Sequence, residues 1–221
     1  MSILLAIETS TEALSVGLRF AETTLVEHRM APREHARLLL PTIAALLAKA
    51  GLARSAIDAI AVGRGPGAFT GVRIGMAAAH GLGLGLNRPL IPISTLAVLA
   101  QSQALAGRRI LTAIDARMQE LYVGAFLTGA DGLVDEVQAE ACLAASAWLP
   151  LFDDATVCVG SGFLAHPELL GGLERFANAL PHAGDLLTLG KRDFDLGLAV
   201  SPEFAQPVYL RNDVAKKKAS T

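Results

Sequence analysis

Residues 59–75 read Ala59-Ile-Ala-Val-Gly63-Arg-Gly-Pro-Gly67-Ala-Phe-Thr-Gly71-Val-Arg-Ile-Gly75. An apolar strand, Ala59–Gly63, runs into a glycine loop, and the loop runs into a helix over Gly71–Leu86. Glycine allows positive φ and lets the backbone approach another group closely. Thr70 is placed to cap the helix, whose first N–H groups are open to an anion. Gly65, Pro66, Gly67 and Thr70 therefore form either a phosphate cradle or a tight turn packed on its own chain. The loop lacks the Gly-Lys-Ser/Thr ending of a P-loop and forms no GxGxxG. Along the helix, Gly71, Gly75, Ala79 and Gly83 make a ridge nearly free of side chains beside the more apolar row Ile74, Ala78, Leu82 and Leu86. One row can face a sheet while the small row admits a second helix, from this chain or from a partner. Interior glycine costs up to ~1 kcal/mol relative to alanine, so the ridge requires a compensating contact.

Upstream of this unit, Ile3–Ile7 is a continuous apolar run suited to a strand covered on both faces. Ala13–Phe20 and Thr24–Met30 read as two further strands, and Glu34–Ala50 as a helix with Gly51 as its stop and Pro41 inside it. Downstream come a strand at Leu90–Ile93 and a helix over residues 94–106. The order then restarts: strands at Ile110–Asp115, Glu120–Leu127 and Leu133–Ala139, a helical stretch at Ala141–Leu149, and a strand at Thr156–Gly160. A helix at Ala183–Val200 ends this second half, and Lys216-Lys217-Lys218 lies in a frayed tail. Three meandering strands followed by α/β alternation, occurring twice, predict an α/β protein of two RNase H-like lobes. This is the actin-like ATPase architecture with a reduced second lobe, divided at residues 1–106 and 107–221.

Composition narrows the function. The net charge is −2, charged residues are 18% and apolar residues 52%, which excludes a disordered chain and a one-signed electrostatic surface. Aromatics are scarce (Phe 8, Tyr 2, Trp 1), so the apolar content exceeds what bulky core residues need and leaves apolar surface to be covered. Cys142 and Cys158 have no CxxC spacing, which fits reduced thiols. No basic n-region opens the chain and no apolar run approaches the ~20 residues of a membrane span, so a soluble cytoplasmic protein is expected.

Glu8 and Asp115 end the first strand of each half, where two carboxylates facing one cleft could hold Mg²⁺; for Asp115, ordinary turn chemistry is the favoured reading. The histidines form no HxxxH or HExxH pair and no GxSxG elbow occurs, so neither a helical metal site nor a serine hydrolase is encoded. Small basic clusters with few aromatics nearby make autonomous RNA binding weak.

Ile7-Glu-Thr-Ser-Thr11, Arg33-Glu-His-Ala-Arg-Leu-Leu-Leu-Pro41, the segment Gly63–Gly75, Ile93-Ser-Thr-Leu96, Ile114-Asp-Ala-Arg-Met-Gln-Glu-Leu-Tyr122 and Pro207-Val-Tyr-Leu-Arg211 together resemble the bacterial TsaB (YeaZ) family across nearly the whole chain. The resemblance implies a non-catalytic role in forming N6-threonylcarbamoyladenosine at position 37 of ANN-decoding tRNAs. It implies association with the catalytic paralogue TsaD and the ATPase TsaE, a possible homodimer, and tRNA contact only within the complex. ATP and metal belong to the partner proteins, and this chain has no catalytic residue, metal or cofactor of its own. Thr95 and Leu99 stand where the paralogue carries its pair of metal-binding histidines. The partner or dimer face is assigned to His35, Leu39, Leu40, Gly71, Arg73, Gly75, Met76, Ala79 and Gly83. Glu8, Thr9 and Ser10 occupy the turn where actin-like ATPases place a phosphate loop, in degenerate form. An active actin-like phosphotransferase or M22-type metallohydrolase is the alternative.

Overall fold

The computed structural model describes residues 2–211. The lysine cluster at 216–218 lies outside the described residues.

Strands β1 (Leu4–Glu8), β2 (Ala13–Phe20) and β3 (Thr23–Met30) form an antiparallel meander. Helix α1 (His35–Ala50) follows and ends on Gly51, whose φ of 67° supplies the left-handed stop. Strand β4 (Ala59–Gly63) pairs parallel to β1, and β5 (Leu90–Ile93) pairs parallel to β4 beyond helix α2 (Phe69–Leu86). The first sheet is ordered β3-β2-β1-β4-β5. After helix α3 (Thr95–Gln101) come β6 (Arg109–Arg117), β7 (Glu120–Thr128), β8 (Val134–Ala144), β9 (Val157–Val159), helix α4 (Gly162–Ala165) and β10 (Glu174–Phe176). Their sheet is ordered β10-β9-β6-β7-β8, with β6, β7 and β8 antiparallel and β9 and β10 parallel additions. Each sheet thus has the same order and sense of strands, so the topological repeat read from the sequence is a duplicated RNase H-like lobe in the actin-like arrangement.

Side-chain alternation on the central strands distributes the core among three layers. On β1, Leu5 and Ile7 point into the core under α1 and α2, while Leu4 and Ala6 point to the opposite face. On β6, Ile110 and Ile114 turn toward that same inner layer, while Leu111 and Ala113 join Trp148, Cys158 and Phe163 on the outer side of the second sheet. The inner layer belongs to both sheets: Leu4 and Ala61 of one share a continuous cluster with Phe126 and Val159 of the other, through Leu96 and Leu99 of α3. Fully burying one such Leu or Phe contributes roughly 1.5–3 kcal/mol.

Helix α5 (Ala183–Asp195) corrects the expectation of a helix at 183–200 closing the second lobe. It is shorter, and it packs on β1, β2, β4 and β5 of the first sheet. Its first N–H donates to Ser15 Oγ at 2.8 Å, and Gly190 lets it approach Ala61 closely. The chain therefore crosses back, placing α3 and α5 between the sheets. The helix expected at 141–149 is also corrected. Ala141, Cys142 and Leu143 pair with Val123, Tyr122 and Leu121, so ladder bonds override the helix preference of an alanine-rich stretch, and only a 3-10 turn at Ala145–Ala147 remains. The helix expected over 94–106 stops at Gln101, and it is capped by Ser94 Oγ, which accepts from the N–H groups of Leu96 and Ala97.

Burial carries the Asp185 carboxyl, in the first turn of α5, up to about 6. A folded-state pKa above the unfolded value gives stability that is present at low pH and lost as pH rises through about 6. Asp185→Asn is therefore expected to match the parent chain near pH 4 and to exceed it by up to ~3 kcal/mol at pH 7 in urea unfolding.

Candidate functional site

The glycine segment lies directly against the β1–β2 turn, with the small side chains of Thr9 and Ser10 at the contact. Ala68 N–H donates to Ser10 O at 2.7 Å, and Thr9 Oγ1 donates to Gly71 O at 2.8 Å. A Cβ on Gly67 would overlap the Ser10 carbonyl oxygen, and one on Gly71 would overlap that of Thr9. Gly67 and Gly71 thus pack closely on the chain's own turn, the arrangement that the tight-turn reading expects. The same clamp moves the helix start. Ala68 is the N-cap, no side chain caps the helix, and Thr70 sits exposed in the first turn rather than at the cap position.

Glu8, Thr9 and Ser10 are each no more than 2% exposed. Glu8 Oε1 accepts from Ser10 N–H at 2.7 Å, and Oε2 lies buried without a well-formed hydrogen bond. Burial raises the Glu8 carboxyl above its usual range, against the opposing pull of the Ser10 and Thr95 hydroxyls and the Ser10 and Thr9 N–H groups. The two strand-end carboxylates thus do not share a cleft. Asp115 lines the interlobe cleft of about 480 Å³, with Thr11, Glu12, Arg117 and Ser161, while Glu8 is sealed behind the glycine loop. Asp115 Oδ1 accepts from Arg117 N–H at 2.8 Å, and Ser161 Oγ accepts from Asp115 N–H at 3.2 Å. This is the turn chemistry favoured from sequence. It holds Arg117, Met118 and Gln119, all at positive φ, in the β6–β7 connection.

The face assigned to a partner is largely internal. Gly71, Gly75, Ala79 and Gly83 are buried, aimed at Thr9, Ile7 and Leu90 of the first sheet and its turn. Met76 and Leu39 belong to the core, and His35 is 6% exposed with Nε2 3.1 Å from Ala13 O. The apolar row Ile74, Ala78, Leu82 and Leu86 is only partly buried. The small ridge packs inward because a side-chain-free helix face can approach a backbone turn more closely than an apolar one. Of the nine residues, Leu40 at 55% exposure and Arg73 remain on the surface.

Two links between the lobes were not visible in the sequence. Glu140 is turned inward by irregular β7–β8 pairing, accepts from Ser94 Oγ and lies 3.7 Å from the Arg64 guanidinium; burial raises its carboxyl above its usual range. Arg211 donates from Nε to Glu120 Oε2 at 2.9 Å and from Nη2 to Ala116 O at 2.8 Å, fastening the tail that runs past Arg64 of the first lobe to the β6–β7 turn. Among the described residues no group of three His, Cys, Asp or Glu side chains could hold a metal ion, and no helix is long and apolar enough to cross a membrane. Thr95 and Leu99 are both buried on α3.

The duplicated lobes, with the same strand order and sense in each sheet, define a protein of the actin-like class. The family model for TsaD, tRNA N6-adenosine threonylcarbamoyltransferase, matches residues 12–155. Within that class the chain belongs to the TsaB (YeaZ) family. It is 40% identical to the tRNA threonylcarbamoyladenosine biosynthesis protein TsaB of Escherichia coli over 97% of each chain. It is 36% identical to that of Haemophilus influenzae over 97% of this chain and 96% of the relative. A solved Pseudomonas aeruginosa structure described as YeaZ superposes with a TM-score of 0.89 at 42% identity, covering 95% of this chain and all (100%) of the other.

The inward ridge yields a paired test. Gly71→Ala is expected to destabilise the chain by roughly 1–3 kcal/mol through overlap with Thr9. Gly81→Ala, on the exposed side of α2 with nothing near its Cβ, is expected to stabilise it by up to ~1 kcal/mol in the same unfolding measurement.

Proposed function

We propose that the chain is a cytoplasmic, non-catalytic subunit for threonylcarbamoylation of adenosine in tRNA, acting by docking on the TsaD transferase. The observation that carries this reading is the outer surface of α1 and α2. Both helices pack on one face of the first sheet, so their outward stripes lie side by side. Those stripes carry Leu40, Ala44 and Ala48 on α1 and Ala77, Gly81 and Leu84 on α2, all exposed. Small and apolar residues at helical spacing let another pair of helices approach closely and remove apolar surface from water. Leu84, at 67% exposure, is the kind of residue a monomer leaves bare singly and an interface covers. A second copy of the chain can use the same face, which makes homodimer and heterodimer alternatives.

TsaE, ATP and the transferase metal belong to the assembly rather than to this chain. Support comes from the buried state of Glu8, Thr9 and Ser10 and from the family resemblance, which sets Thr95 and Leu99, neither a metal ligand in this pattern, at the places of the paralogue's histidines. The reading predicts that Ala44→Arg and Ala77→Arg leave the unfolding midpoint unchanged, because both positions are solvent-facing. Each should weaken association with TsaD at least tenfold by isothermal titration and reduce threonylcarbamoylation in a reconstituted assay. Full association by both variants contradicts docking through this face.

A further inference from the structure

The last described residues bring Tyr209 to Phe69 and Arg73 in the first turns of α2. Phe69 and Tyr209, distant in sequence, meet with ring centroids 5.9 Å apart and stand 58% and 48% exposed. The Arg73 guanidinium lies 3.3 Å from the Phe69 ring centroid and 5.1 Å from that of Tyr209. Beside them runs a groove of about 460 Å³, lined also by Val72, Val208, Tyr122 and Arg211. No acidic residue is among the described residues that line it, in a protein whose net charge is −2. Arg211 is already bonded to Glu120, whereas Arg73 makes its contacts with the two rings and has no carboxylate partner among the described residues.

Half-exposed rings with a planar cation on them accept a flat π-system by stacking, and a guanidinium with no carboxylate partner among the described residues can donate hydrogen bonds to an adjacent phosphate. A nucleotide carries both features, a flat base and a phosphate, on one ligand. The walls offer no lysine and no glycine-rich anion nest for a triphosphate, since the nearby glycines are clamped to Thr9 and Ser10. The rings are open on the surface rather than enclosed, which suits one unit of a longer strand more than a free mononucleotide. We infer that the Phe69–Arg73–Tyr209 groove holds a nucleotide of single-stranded RNA, with its base on the aromatic and guanidinium faces and its phosphate at Arg73. The choice of RNA as the strand rests on the tRNA-modification reading above; the planar, anionic ligand does not.

Fluorescence anisotropy with a labelled single-stranded octaribonucleotide and the isolated full chain tests this at low salt. The expected result is binding that Phe69→Ala and Tyr209→Ala each weaken at least fivefold. Arg73→Lys, which keeps the charge and loses the planar stack, should weaken it less than Arg73→Glu. Both rings are half-exposed, so circular dichroism and unfolding midpoints of these variants are expected to match the parent chain. AMP competing as tightly per site as the oligonucleotide, no binding by the parent chain, or binding indifferent to all four substitutions would each overturn the proposal. TsaD association, measured separately on the same variants, distinguishes this failure from failure of the docking reading.

Discussion

The rest of the structure depends on one contact: the close packing, through glycines, of the N-terminal half of α2 on the β1–β2 turn. Gly67 and Gly71 place the loop and helix against the carbonyls of Ser10 and Thr9 at distances no side chain permits. Two hydrogen bonds, Ala68 to Ser10 and Thr9 to Gly71, fix the register. Because the turn is held this way, Glu8 is sealed from the cleft and burial favours its neutral form. Because the small ridge faces inward, the wider stripe of α2 containing Ala77, Gly81 and Leu84 faces outward beside α1. A single packing choice thus buries the Glu8–Ser10 turn and leaves the Ala77, Gly81 and Leu84 stripe exposed.

The same loop governs how the lobes are joined. Its first residue after β4, Arg64, reaches Glu140 across the lobe boundary with its side chain, while its carbonyl accepts from Val208 N–H at 2.8 Å. Arg211 then closes the other side onto the β6–β7 turn. Between these links the inner core is continuous from Leu4 through Leu96 to Phe126. Opening and closing of the lobes, which an actin-like enzyme needs, would have to break a shared apolar layer and two charged clasps here.

Most of the fold was legible in the sequence because its central strands are short apolar runs bounded by turn residues. Ala13–Phe20, Ala59–Gly63 and Leu90–Ile93 match the strand limits, and the repeated strand order gave the duplicated lobes. What failed was tertiary. An alanine-rich stretch near Cys142 became strand because β7 offered a ladder, and α5 left its own half of the chain because Ser15, Gly17 and Ala61 made room for it on the first sheet. The site was less legible. Periodicity identified a side-chain-poor ridge on α2, yet period alone cannot say which row faces inward, and the inward row proved to be the small one. Glu140 and Arg211 carry no local motif; a strand irregularity and an extended tail bring them to the loop.

Hydrogen–deuterium exchange on this chain, with and without TsaD, tests the central claim most directly. The account predicts slowed exchange along α1 and α2 on mixing, with the glycine loop and the β6–β7 turn unchanged. Slowed exchange confined to the loop and that turn, with both helices unaffected, would contradict it and return function to the cleft between the lobes.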